Sequence, residues 1–305
     1  MSFLRIVCYN LVNMKKFKRE VLKVEKRLIM YAVIIIICII SIGVGVYAQF
    51  FYKDGDTDHL MIGSNTQSKE EVNEQEEKAK EDFDTLFINA LTYVSQDFNN
   101  SVVRKESTKD LIYTSNQISK TVQGKYSMNI NVPTVNIVSP LANEINAEIE
   151  NIFIKKATNI LVNAETSTEN VIYNIDYSAY VNGNILSLII KATLKEGSNP
   201  QRIMYLGYNY NLQTNTKISL QDYMTYKNIK TLTLQNKINK EIKDISKKTQ
   251  DLNNVGFSVY TRNPEDEMYK IENITNYFYG PNNYIYIIFA YGNNNYTSET
   301  DVIVF

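Results

Sequence analysis

The chain has 305 residues, 32 basic against 33 acidic side chains for a formal net charge of −1, one histidine, two cysteines and no tryptophan. The part of the chain after the apolar run is mildly acidic, which disfavours nucleic-acid binding, since phosphate contacts need a basic surface. Beyond residue 53 there is no cysteine and His59 is the sole histidine, too little for a Cys/His zinc site, a Cys–His nucleophile pair or a Ser–His–Asp triad.

Residues 1–27 carry Arg5, Lys15, Lys16, Lys18, Arg19, Lys23, Lys26 and Arg27 against Glu20 and Glu25, a net of about +6 that marks a short cytoplasmic tail. Met14-Lys15-Lys16 is a second candidate start. No charge falls between Arg27 and Lys53, and the run from Leu28 to Ala48 is almost wholly aliphatic. At about 1.5 Å per residue it covers about 30 Å, the thickness of a bilayer's hydrocarbon core. Tyr31 and Phe50-Phe51-Tyr52 stand where interfacial aromatic anchors belong, so residues 28–52 are expected to form a single transmembrane helix. The remainder, mildly acidic, is then extracytoplasmic. Val46-Tyr47-Ala48 before Gln49 has the spacing a signal peptidase accepts. A cleaved signal peptide is the competing reading, and the length of the apolar run favours an uncleaved anchor. Cys38, within that run, reads as an apolar thiol.

Residues 53–106 are expected to be a polar linker and an amphipathic helix. His59 falls in the polar part and reads as a solvated residue. Phe83, Leu86, Phe87, Ala90, Leu91, Val94, Phe98 and Val102 recur at spacings of three and four, which predicts a helix from about Lys69 to Lys105. Its stripe either packs on the distal domain or pairs with a second copy as a homo-oligomeric stalk through residues 83–102.

Residues 107–305 read as an α+β domain, a largely antiparallel sheet with helices packed on it. Leu111 to Ile118 and Tyr126 to Pro133 alternate and turn at Gln123-Gly124. Ser139-Pro140 predicts a helix start, with Leu141, Ile145, Ile149, Ile152, Phe153 and Ile160 as its stripe. Strands around Val171 to Ala179, Ile185 to Leu194 and Arg202 to Leu212 form a meander whose first turn is Asn182-Gly183. Ser219 and Asp222 either cap a helix or close a turn ahead of one. A helix over about 226–248 follows, with Ile229, Leu232, Ile238, Ile242 and Ile245 inward. Strands are expected at Phe257 to Tyr260, Tyr277 to Tyr279, Tyr284 to Tyr291 and Asp301 to Phe305.

Three segments resemble one exported module. Tyr126 to Pro133, followed by the helix bearing Asn143-Glu144-Ile145-Asn146, is similar to its opening. Tyr208-Asn209-Tyr210-Asn211-Leu212-Gln213-Thr214-Asn215-Thr216-Lys217-Ile218-Ser219-Leu220-Gln221-Asp222-Tyr223 resembles a YN-x-D-L-x-T-G-K-x-x-x-L-x-D-L-F pattern. Phe278-Tyr279 and Ile285 to Tyr291 resemble its close. The module is the extracytoplasmic part of RsiV-type lysozyme-sensing anti-sigma factors, and it also accompanies PdaC-type peptidoglycan deacetylases. The resemblance covers about Leu111 to Phe305 and implies a partner that is a lysozyme-like protein or peptidoglycan. The chain departs from the pattern at Asn211, in the Asp position, and at Asn215, in place of the turn glycine. It has neither a sigma-binding domain nor a deacetylase domain, so only the module's role carries over.

The reading that follows is a non-enzymatic, membrane-anchored binding or sensor module of a bacterial cell envelope. The abundance of Asn, Ile, Lys and Tyr fits a low-GC Gram-positive source. Tyr279, Tyr291, Asn293, Asn294 and Tyr296 are the expected binding residues, since aromatic faces stack on sugars and amides satisfy hydroxyls. No cofactor or metal is expected. The alternatives are a structural or assembly partner at the envelope, and a glycan hydrolase working through carboxylates such as Glu144, Glu148, Asp176 or Asp222.

Overall fold

The computed structural model describes residues 69–88, 90, 92–95, 102–163, 170–292 and 297–305. The expected membrane-spanning stretch, the cytoplasmic tail and the signal-peptidase residues Val46 and Ala48 lie outside them. Among the described residues no helix is long and apolar enough to cross a membrane. All of them belong to one unit, Thr66–Phe305.

The helix expected over 69–105 is broken into three pieces. Helix α1, Lys69–Glu81, passes into a 3-10 segment, Asp82–Phe87, and the chain then enters a short strand β1, Thr92–Val94. Ile88 is extended and Ala90 takes a φ of 50°, a left-handed geometry that ends the helix. The stripe residues Phe83, Leu86 and Phe87 are buried against the rest of the chain, as the intrachain packing alternative requires. Tertiary contact, rather than helical period, sets the local structure here.

The central sheet follows from alternation. Strands β2, Ile112–Val122, and β3, Tyr126–Val135, pair antiparallel across Gly124, whose φ of 75° suits the turn. Tyr126, Met128, Ile130 and Val132 face the core and Asn129 faces solvent. Helix α2, Pro140–Ile149, then starts on Ser139, whose Oγ accepts from the Ala142 amide at 3.3 Å and bonds the Tyr210 hydroxyl at 2.6 Å. A π-helical segment, Glu150–Ile154, joins it to helix α3, Lys155–Asn163. This crossover lets the next strand, β4, Val171–Asn182, run parallel to β3. Strands β5, Ile185–Glu196, and β6, Arg202–Asn211, complete the expected meander, and the two-residue β7, Thr216–Lys217, closes it. The order is β2-β3-β4-β5-β6-β7, with β1 parallel against the C-terminal part of β4. The sheet is therefore antiparallel at most joints and parallel at two. Its main core lies under α2 and α3, where Ile145, Ile149, Phe153 and Ala157 meet Ile130, Ile175, Leu188 and Ile190.

A second sheet, β8 (Tyr277–Tyr279), β9 (Ile285–Ala290) and β10 (Thr300–Val304), is antiparallel throughout. One of its faces shares a core with two helices, α4, Leu220–Tyr226, and α5, Thr231–Asn254. The helix expected over 226–248 is thus displaced. Ser219 and Asp222 form a capping box that starts α4, and Asn228, at φ 55°, separates it from α5. Ile238 and Ile242 are buried as expected, but at the start of α5 Leu234 is the inward residue and Leu232 is 71% exposed.

Phe257 to Tyr260 is not a strand. The Asn253 side chain accepts from the Val259 amide at 2.9 Å and donates to its carbonyl at 3.0 Å, making the pairing a neighbouring strand would have made. Gly256, at φ 95°, turns the chain after α5, with the Phe257 amide bonded to the Leu252 carbonyl and the Gly256 amide to that of Asn253.

Candidate functional site

The structure places Tyr279 and Tyr291 in the interior, 1% and 3% exposed, so neither ring offers a face to a ligand. This corrects their expected role as stacking platforms. Both faces of the small sheet β8–β10 are covered, so alternation along β8 and β9 leaves no open aromatic face. Tyr279 accepts from Asn182 Nδ2 at 2.6 Å, donates to Asn283 Oδ1 and packs on Tyr223 with ring centroids 4.9 Å apart. Asn293, Asn294 and Tyr296 lie outside the described residues.

The four candidate carboxylates are spread over three elements, Glu144 and Glu148 on α2, Asp176 on β4 and Asp222 on α4. Glu144 pairs with Lys217 at 2.9 Å on the surface, Asp176 accepts from Asn131 at 2.9 Å, and Asp222 caps α4. Glu148 acts electrostatically on Tyr208, whose pKa is raised first by burial and then by that charge.

Tyr291 belongs instead to a buried ionic cluster. Arg262, 5% exposed, sets its Nε and Nη2 against the two oxygens of Asp301 at 2.9 and 2.8 Å. Its Nη1 donates to Glu299 and to the Tyr260 carbonyl, and its guanidinium lies 4.8 Å from the Tyr291 ring centroid. Desolvation opposes the charge on Arg262, but the bonds to Asp301 and Glu299 outweigh it and hold its pKa above the usual arginine value. Tyr291 donates to Asp301 Oδ2 at 2.6 Å and shares a 2.9 Å bond with the Tyr269 hydroxyl. Burial, and then Asp301, drive the Tyr291 pKa far up, and burial pushes Tyr269 up to about 12. Both remain neutral hydrogen-bonding groups at physiological pH.

Tyr269 forms the floor of a groove of about 660 Å³, within the size range of small-ligand sites. One wall is the first half of α5, with Thr231, Leu232, Gln235, Asn239 and Lys243. The other is the segment 264–272, with Glu265, Asp266, Lys270 and Glu272. Gln235 ties the walls together: its Nε2 donates to the Tyr269 carbonyl at 3.0 Å and its Oε1 accepts from the Ile271 amide at 3.0 Å. The same Nε2 bonds Asn239 Oδ1 at 2.8 Å. The groove thus faces amide and hydroxyl groups on one side with a mainly acidic wall on the other, over a floor braced by the Arg262 cluster.

The sequence reading missed this groove. Lys243 and Asn239 look like the solvated face of an amphipathic helix, and 264–272 looks like featureless polar loop. The one available signal was Arg262, an arginine in a lysine-rich chain, since a guanidinium suits buried bidentate pairing better than an ammonium.

No family model and no curated protein matches this chain. Two solved structures similar to it are described as DUF3298-family proteins. One, from Bacteroides fragilis, matches with a TM-score of 0.29 and 13% identity over 43% of this chain and 72% of its own. The other, from Pseudomonas aeruginosa PAO1, matches with a TM-score of 0.34 and 9% identity over 63% of this chain and 85% of its own. At these scores the likeness carries no argument about activity.

Proposed function

We propose that the chain is a membrane-anchored, extracytoplasmic recognition module of a bacterial cell envelope. Its ligand is a lysozyme-like protein or peptidoglycan, taken up along the groove between α5 and residues 264–272. The observation that supports this reading is the groove itself: Thr231, Gln235 and Asn239 present hydroxyl and amide groups opposite Glu265, Asp266 and Glu272, above a Tyr269 floor held by buried bonds. Hydroxyl-rich glycans and the polar rim of a protein partner both suit such walls. The apolar run 28–48 with its basic flank supplies the anchor and the orientation.

The test is binding of the Thr66–Phe305 unit to a muramidase of the lysozyme type and, in parallel, to isolated peptidoglycan. Saturable binding to either, weakened at least about tenfold by the pair Asn239→Ala and Lys243→Ala, is the expected result. Binding that this pair leaves untouched removes the groove, and no binding to either ligand removes the proposed partner class.

A further inference from the structure

Residues 74–87 come after the apolar N-terminal run in sequence, and they are held on the domain by a contact set arranged like a zip. Glu76 pairs with Lys237, and Lys80 pairs with Glu241 at 3.1 Å. Both pairs advance four residues in the same direction, so α1 lies parallel to α5. Next along the chain, Asp84 pairs with Lys191 at 2.7 Å. Among the α1 side chains described, residues 74–81, only Ala79 is buried. The apolar hold comes after it, where Phe83 meets Tyr286 and Tyr205 at centroid distances of 5.4 and 5.9 Å, and Phe87 meets Tyr205 at 5.8 Å. These contacts cover the face of the second sheet turned away from α5, which carries Phe278, Tyr286, Ile288 and Val304.

The two ends of this segment differ. Its C-terminal end is pinned: β1 pairs with β4, the Ser95 amide donates to the Val181 carbonyl at 2.7 Å, and Ser95 Oγ accepts from the Gly183 amide at 3.1 Å. Its N-terminal end continues into the chain that leads back to residues 28–48, so tension on that chain arrives first at the Glu76 pair. A helix as polar as α1 has little stability without its partners. Residues 69–87 also hold eight acidic residues against three lysines, apposed to a lysine-bearing helix, so salt weakens the attachment.

We infer that residues 74–87 are a releasable strap, which peels from its α1 end up to the β1 pin and uncovers an aromatic face formed by Tyr205, Phe278 and Tyr286. The strap converts a pull or a competing ligand into exposure of a second surface, and this does not depend on what occupies the groove.

Hydrogen exchange on the full-length chain in detergent micelles tests it. Amides of residues 76–87 should open independently of β4 and β5, and faster at high than at low salt. Lys237→Glu should raise strap opening about three- to tenfold, and Glu76→Lys in the same chain should restore it. As a second measurement, thiol labelling at Ala79→Cys, in a Cys8→Ser, Cys38→Ser background, should follow the same order. Strap amides that exchange only in step with β4 and β5, or a Lys237→Glu effect that Glu76→Lys does not reverse, would overturn the inference.

Discussion

The Tyr291 hydroxyl donates to Asp301 Oδ2 at 2.6 Å, on the carboxylate that also receives two bonds from Arg262. A residue just past β9 is thereby tied to the start of β10 and to the loop that follows α5. The bond gives Tyr291 a role in holding the groove floor rather than in touching a ligand.

Removing the acidic member should be costly. Asp301→Ala leaves the buried Arg262 without its bidentate partner, and we expect a loss of about 3–5 kcal/mol in urea unfolding. Tyr291→Phe, which removes one bond and keeps the ring, should cost about 1–2 kcal/mol. Equal losses from the two variants would show that Asp301 is not the centre of the cluster.

Gly292 and Gly124 should respond differently to alanine. A Cβ at Gly292 would stand 2.3 Å from the Ile203 carbonyl oxygen and 2.9 Å from that of Thr297, so backbone must move. We expect about 1–3 kcal/mol of destabilisation there, of the overpacking kind. At Gly124 a Cβ meets nothing within 4 Å, and the φ of 75° alone opposes it, at about 1–2 kcal/mol. Thermal melts of the two variants, with β6–β10 contacts probed by hydrogen exchange, separate the causes: only Gly292→Ala should loosen residues 297–304.

Ser139 serves two structures at once, capping α2 and bonding Tyr210 across the main core. Ser139→Ala should cost about 1–2 kcal/mol, more than an exposed cap of the same kind. Tyr210→Phe leaves the cap but removes the bonds to Ser139 and to Asn215 Oδ1 at 2.9 Å, and should also cost about 1–2 kcal/mol. A double-mutant cycle in urea measures the coupling.

Alkali should unfold the domain through its tyrosines. Burial raises Tyr269 and Tyr286 to about 12, and raises Tyr173, Tyr205, Tyr208, Tyr223, Tyr277 and Tyr291 further. In the unfolded chain these phenols ionise near about 10. A folded pKa above the unfolded one means stability that is complete below about pH 10 and falls as pH rises from there towards 12. Phenolate absorbance and far-UV circular dichroism should therefore change together above about pH 10. Ionisation of these groups at lower pH with the fold intact would contradict their burial.

Much of the architecture was legible in residue order because it depends on local chemistry. Strand alternation placed β2 to β6, the Ser139-Pro140 pair marked the start of α2, and Asn215, at φ 57°, takes a left-handed turn conformation that asparagine tolerates. Each of these follows from what neighbouring residues can do with their own backbone. The same local reasoning failed from Phe83 to Val94, where, among the described residues, a helical spacing of apolar residues proved to be a 3-10 segment, a left-handed turn and a strand.

Residue order by itself determined the charge-free apolar run, the scarcity of cysteine and histidine, and the α+β pattern, since composition and period are properties of the chain alone. Only the tertiary structure decided which tyrosines are interior, that Arg262 meets Asp301 across 39 positions, and that Gln235 closes a groove against Ile271. Those outcomes rest on which faces come together when two sheets and two layers of helices bury their apolar sides. Alternation assigns a residue to a face, but only packing says whether that face is covered.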